Sequence, residues 1–173
     1  MMTLDDFSPS AGDTLIRAAM SAEGPILGTG PLLRALAQGG PVAGVELSPD
    51  ALPKDSGRAL LATLGIDLDD VHHRAYEATS LRLDDPSLWR LRRSPLLPLR
   101  VTLTGPGTRA TFNEAGRKTL EVALWSARRR GLPSATREDL LWGLLADASN
   151  DAVRILRRQR IDLHRLWTTL KAA

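Results

Sequence analysis

Residues 112–145 read FNEAGRKTLEVALWSARRRGLPSATREDLLWGLL, and this stretch decides which fold to expect. Phe112-Asn113-Glu114 has the form of a capped helix start with an apolar residue just ahead of it, the arrangement of a hydrophobic staple. Leu120, Ala123, Leu124 and Ala127 follow at three- and four-residue spacing, which places them on one helical face. Thr136 then supplies an N-cap for a second helix, with Glu138 and Asp139 in its first turn and Leu140, Leu141, Leu144 and Leu145 behind them.

Working outward, the same order of signals occurs in residues 7–36, FSPSAGDTLIRAAMSAEGPILGTGPLLRAL. Phe7-Ser8-Pro9-Ser10 opens a helix with Leu15, Ala18, Ala19 and Ala22. Gly28-Thr29-Gly30-Pro31 opens a second, in which Thr29 is the expected N-cap and Pro31 is tolerated in the first turn, where N–H groups lack internal partners. A third helix is expected over 57–64 and again over 151–159, ending at Gly65-Ile66-Asp67-Leu68 and at Arg160-Ile161-Asp162-Leu163. A fourth is expected over 67–79 and 162–171. Self-similarity of this kind predicts an all-α fold of two pseudo-symmetric four-helix repeats.

The spacing gives residues 1–80 as the first repeat and 112–173 as the second, together one domain. Residues 39–55, with Pro41, Pro49 and Pro53, read as a loop inserted in the first repeat. Residues 81–111 read as an extended linker rich in proline and arginine. Leu99-Arg100-Val101-Thr102-Leu103 alternates like a strand, but a lone strand has no stability without a partner, so an extended segment across the helices is equally compatible.

Composition narrows the function classes. The chain has 173 residues, ordinary apolar and charged fractions, and no cysteine, which removes disulfides, thiolate metal sites and cysteine nucleophiles. The net charge of +3 hides an asymmetry: residues 1–80 hold five bases against eleven acids, and residues 81–173 hold eighteen against nine. An anionic partner for the second half is one reading of that split. The first ten residues lack the basic-then-apolar pattern of a signal peptide, and no apolar run reaches membrane-spanning length, so a cytoplasmic protein without membrane contact is expected.

The ordered pieces resemble the Clp N-terminal repeat. They are Phe7, Ser8 and Ala11, then Gly28, Thr29, Leu32 and Leu33, then Leu64 to Leu68. The second copy is Phe112, then Glu138, Leu140, Leu141, Gly143 and Leu144, then Ile161 to Leu163. In that family the double repeat precedes an AAA+ unfoldase and receives adaptors or substrates. The resemblance therefore implies a non-catalytic module that binds protein or peptide, an accessory, adaptor or decoy N-domain with Clp components or their clients as partners. Some family members bind phosphorylated arginine through the glutamate of a Gly-Thr-Glu-His motif in each repeat. Here the first copy reads Gly28-Thr29-Gly30-Pro31, without the acid, and the second reads Thr136-Arg137-Glu138-Asp139. The ligand-binding candidates implied are thus Glu138, Arg137, whose planar fork suits a phosphate, and Thr29. Acids in a helix's first turn are also favoured by the macrodipole alone, and for Glu138 that plainer explanation is the stronger.

Enzymatic readings find little support. No Gly-x-x-x-x-Gly-Lys-Ser/Thr phosphate loop is present, and Gly105-Pro106-Gly107-Thr108 has no lysine. His72, His73 and His164 lack metal-ligand spacing, and no Gly-x-Ser-x-Gly elbow supports a triad. No catalytic residue, metal or cofactor is expected. Trp125, Trp142 and Trp167 fall at or beside apolar helix stripes and read as core. Trp89, beside Arg90, Arg92 and Arg93 in the linker, is a candidate partner anchor, or else a seal folding back over the helices. The competing class is a basic nucleic-acid-binding regulator using Arg128 to Arg130 and Arg157 with Arg158. Arginines at helix C-termini also complement exposed carbonyls, and no base-reading helix or stacking platform stands out, which argues against nucleic acid.

Overall fold

The computed structural model describes residues 2–22, 24–47, 83–94, 97 and 99–172. Six α-helices lie among them: α1 (Pro9–Met20), α2 (Thr29–Gln38), α3 (Glu114–Arg129), α4 (Arg137–Leu145), α5 (Asp151–Arg158) and α6 (Leu163–Ala172). They are joined by four strands: β1 (Ile26–Leu27), β2 (Arg90–Arg93), β3 (Val101–Gly105) and β4 (Thr108–Phe112). The all-α expectation is therefore wrong; the fold combines helices with a mixed sheet.

Local chemistry explains the helix starts. Ser8 accepts from the Ala11 N–H ahead of α1, with Pro9 at N1, and Asn113 accepts from Gly116 N–H ahead of α3. Asn150 does the same for α5 through Val153 N–H. Phe7 and Phe112 are both buried, yet the N4 residues they would have to staple are Gly12 and Arg117. Both rings instead enter the common core. The expected third and fourth helices of the first half, over 57–64 and 67–79, lie outside the described residues, so a complete first four-helix unit is not shown.

The sheet is what the linker becomes. β2 and β3 pair antiparallel, β3 and β4 pair antiparallel, and β1 adds parallel to β4, in the order β1-β4-β3-β2. The alternating run at 99–103 thus does have partners. One lies on each side of it in the chain, and the outermost strand comes from between α1 and α2. Leu27, Leu91, Val101, Leu103, Ala110 and Phe112 face inward and join the helical core. Gly105 is required by Trp89: a Cβ there would sit 2.3 Å from the indole ring.

The two halves also exchange backbone bonds. Phe7 forms a parallel bridge with Ala135, just before α4, while Leu27, just before α2, pairs with Phe112. Each segment leading into a first helix is tied to the segment leading into the other half's second helix. In the loop after α2, Val42 and Val45 form an antiparallel bridge, and Val42 and Leu47 are buried.

Candidate functional site

The first turn of α4 is built around Asp139, which is only 1% exposed. Its carboxylate accepts from the Thr136 backbone N–H at 2.9 Å and from the Thr136 hydroxyl at 3.0 Å. The Asp139 N–H returns to the Thr136 hydroxyl, closing a capping box. The other oxygen, Oδ1, forms an ion pair with the Arg130 guanidinium at 2.7 Å. A buried carboxylate is tolerated because cap and cation together compensate its lost hydration.

Arg137, one residue past the cap, reaches away from Glu138. Its Nη2 donates to the carbonyls of Leu36 and Gly40, both at 2.7 Å, at the C-terminal end of α2. The Leu36 carbonyl also accepts the Gly39 N–H, and the helix dipole favours a cation at this end. Gly39 leaves the space for it, since a Cβ at that position would lie 2.8 Å from Nη2. Arg137 Nε is buried without an acceptor among the described residues.

Thr29 is not the N-cap of α2. Gly28 holds that position, and its lack of a side chain leaves the cap without a side-chain acceptor. Thr29 is N1, 1% exposed, and its hydroxyl accepts the Ala152 N–H in the first turn of α5. Thr29 and Arg137 therefore act at opposite ends of α2, about 10 Å apart along its axis. Glu138 is half-buried and engages neither of them.

Of the linker candidates, Trp89 is 1% exposed, and its Nε1 donates to the Leu83 carbonyl at 2.6 Å. It seals the linker onto the core and presents no ring to a partner. Arg93 points inward at the sheet's end and pairs with Glu121 of α3 at 3.3 Å. Arg90 and Arg92 are exposed on the opposite face; Arg90 folds back to the Ser87 and Trp89 carbonyls at 2.6 and 2.9 Å.

Two surface features escaped the sequence reading. A groove of about 600 Å³ is lined by Pro25, Ile26, Leu97, Leu99, Arg100, Thr111 and Phe112. Ile26, Leu97 and Leu99 there are 67%, 56% and 68% exposed, more than lone surface apolar residues require. On α3, Trp125 is 54% exposed with the Arg129 guanidinium 5.3 Å from its ring centre, so it is not core. Trp142 and Trp167 stack with centroids 4.4 Å apart, and Trp167 stays 42% exposed.

Among the described residues, no three His, Asp or Glu side chains are placed to hold a metal. No helix among them is long and apolar enough to cross a membrane. Arg128 and Arg129 end α3 and Arg157 and Arg158 end α5, all four exposed. Asp147, in the turn after α4, has its carboxyl held below the usual value by hydrogen bonds from the Ser149 hydroxyl and backbone N–H.

No family model and no curated protein matches this sequence. Among solved structures it is similar to the crystal structure of the N-terminal domain of the caseinolytic protease associated chaperone ClpD from Arabidopsis thaliana. The TM-score is 0.57 and the identity 14%, with 98% of this chain and 97% of that one covered. Over nearly its whole length, the chain has a fold like that of a Clp N-terminal domain.

Proposed function

We propose that this chain is a non-catalytic module that binds polypeptide in a Clp-type chaperone–protease system, as an accessory, adaptor or decoy N-domain acting in the cytoplasm. The observation that supports the reading most is the end-to-end likeness in fold to an N-terminal domain of a Clp chaperone. Chemistry agrees with a binding role. The buried polar groups Asp139 and Thr29 are engaged in caps and ties between helices. Recognition of phosphoarginine at the start of α4 is not part of the proposal, because Arg137 is committed to the end of α2.

Fluorescein-labelled casein, an unfolded client, tests this directly. The folded chain is expected to bind it saturably, to compete for it with a Clp unfoldase, and to hydrolyse neither ATP nor peptide. A folded sample that ignores casein and leaves unfoldase turnover unchanged overturns the reading, as does turnover of either substrate by the chain alone.

A further inference from the structure

The strand meander gives this domain a second face that the helices do not supply. Side chains alternate across a sheet, so the inward set fixes the outward one. Outward-facing positions form two rows. Ile26, Thr111, Thr102 and Arg92 lie in register across all four strands, and Arg109, Thr104 and Arg90 lie in register across β4, β3 and β2. Residues 86–113 contain five arginines and no acid. Arg92, Arg100 and Arg109 are exposed and form no ion pair among the described residues. The apolar groove adjoins this face, since Ile26 and Thr111 of the first row line it together with Leu97, Leu99 and Arg100.

We propose that this outer face binds acidic polypeptide segments, seating apolar side chains in the groove and carboxylates on Arg92, Arg100 and Arg109. Three observations select this occupant. The groove is concave and apolar, which suits one or two aliphatic side chains and not a phosphate backbone. Guanidinium groups pair carboxylates in planar, two-pronged fashion, and the threonine rows between them offer hydroxyls to an extended backbone. Among the described residues the nearby rings are held in the core, Trp89 at 1% and Phe112, which lines the groove, at 4% exposure, so none stands out as the stacking platform of a single-strand nucleic-acid binder. The inference goes beyond the Clp-type reading, because it needs only the sheet and not the likeness in fold.

The test uses the whole chain and three short fluorescein-labelled peptides. One has a Leu-Leu pair flanked by Asp and Glu, the second has Lys in place of the acids, and the third has Ala in place of the leucines. The acidic apolar peptide is expected to bind about ten-fold more tightly than either control, and more weakly as salt is raised. L99E and the double variant R92E/R109E should each weaken it about ten-fold; these positions are exposed, and L99S and R92Q/R109Q serve if the charge reversals disturb folding. Equal binding of the three peptides overturns the proposal, as do variants that bind like the wild type. Tighter binding to oligo-dT or to phosphatidylserine vesicles than to the acidic peptide also overturns it. Casein binding that survives both variants would sink this face while leaving the module reading intact. Peptide binding without any effect on a Clp unfoldase would do the reverse.

Discussion

The starts of α2 and α4, the second helices after Phe7 and after Phe112 in the chain, are built in opposite ways. The α4 start is closed by its own residues: Thr136 and Asp139 form a capping box, and Arg130 at the end of α3 neutralises the buried carboxylate. The α2 start has Gly28 at the cap and a threonine whose hydroxyl serves another helix. At N1, both halves send a side chain outward, Thr29 to α5 and Arg137 to the end of α2. The residue just before the position where the resembling motif carries its glutamate is used here to tie helices together. The asymmetry teaches where stability is concentrated: the α4 start carries charge and burial, and the α2 start carries one neutral hydrogen bond.

Mutations that remove each tie sharpen this contrast. Asp139→Ala should cost most, about 3 kcal/mol, because it removes the cap and strips Arg130 of its partner. In thermal unfolding that corresponds to a fall in Tm of roughly 6–12 °C. Arg137→Met keeps the aliphatic stem and removes two charge-assisted bonds to the end of α2, for an expected loss of about 2 kcal/mol by urea unfolding. Gly39→Ala crowds the guanidinium and should cost about 1 kcal/mol in the wild type. In the Arg137→Met background the cost should vanish, because the clash is with the group removed. Additive effects in that cycle would mean Arg137 does not sit at the end of α2. Thr29→Val should cost about 1 kcal/mol, the loss of one neutral acceptor for Ala152 N–H. A larger loss from Thr29→Val than from Asp139→Ala would invert the comparison.

A smaller effect tests the turn that follows α4. The folded carboxyl of Asp147 lies below its ordinary value, so its contribution is present above pH about 4 and is lost as pH falls through the lower folded value. A carboxyl carbon titration by NMR should show Asp147 protonating below the ordinary aspartate value. In Ser149→Ala the midpoint should move up.

Much of the helical framework was readable because helix starts are local. Ser8, Asn113, Thr136 and Asn150 each accept from an N–H within three residues, and a short window contains the whole signal. The sheet was not readable because its pairing is remote. β1 is two residues long, too short to show a period, and its partner Phe112 lies 85 positions beyond Leu27. Trp89-Arg90-Leu91-Arg92-Arg93 alternates, but the run of arginines concealed that Arg93 points inward to Glu121 while Arg90 and Arg92 point out. Thr29 was misread by one position, since threonine is a good cap and glycine a silent one. Its real task, on Ala152, spans 123 residues. Arg137 looked like a phosphate fork because nothing in the sequence connects it to the carbonyls of Leu36 and Gly40.

The central claim is that the helix starts are occupied by internal ties and that partners meet the outer face of the sheet. Amide chemical-shift mapping with the acidic apolar peptide tests it in one titration. Saturable shifts are predicted at Ile26, Thr102, Thr104 and Thr111, with Thr29, Arg137 and Glu138 unmoved. Shifts centred on Arg137 and Glu138, with the sheet silent, would contradict the account.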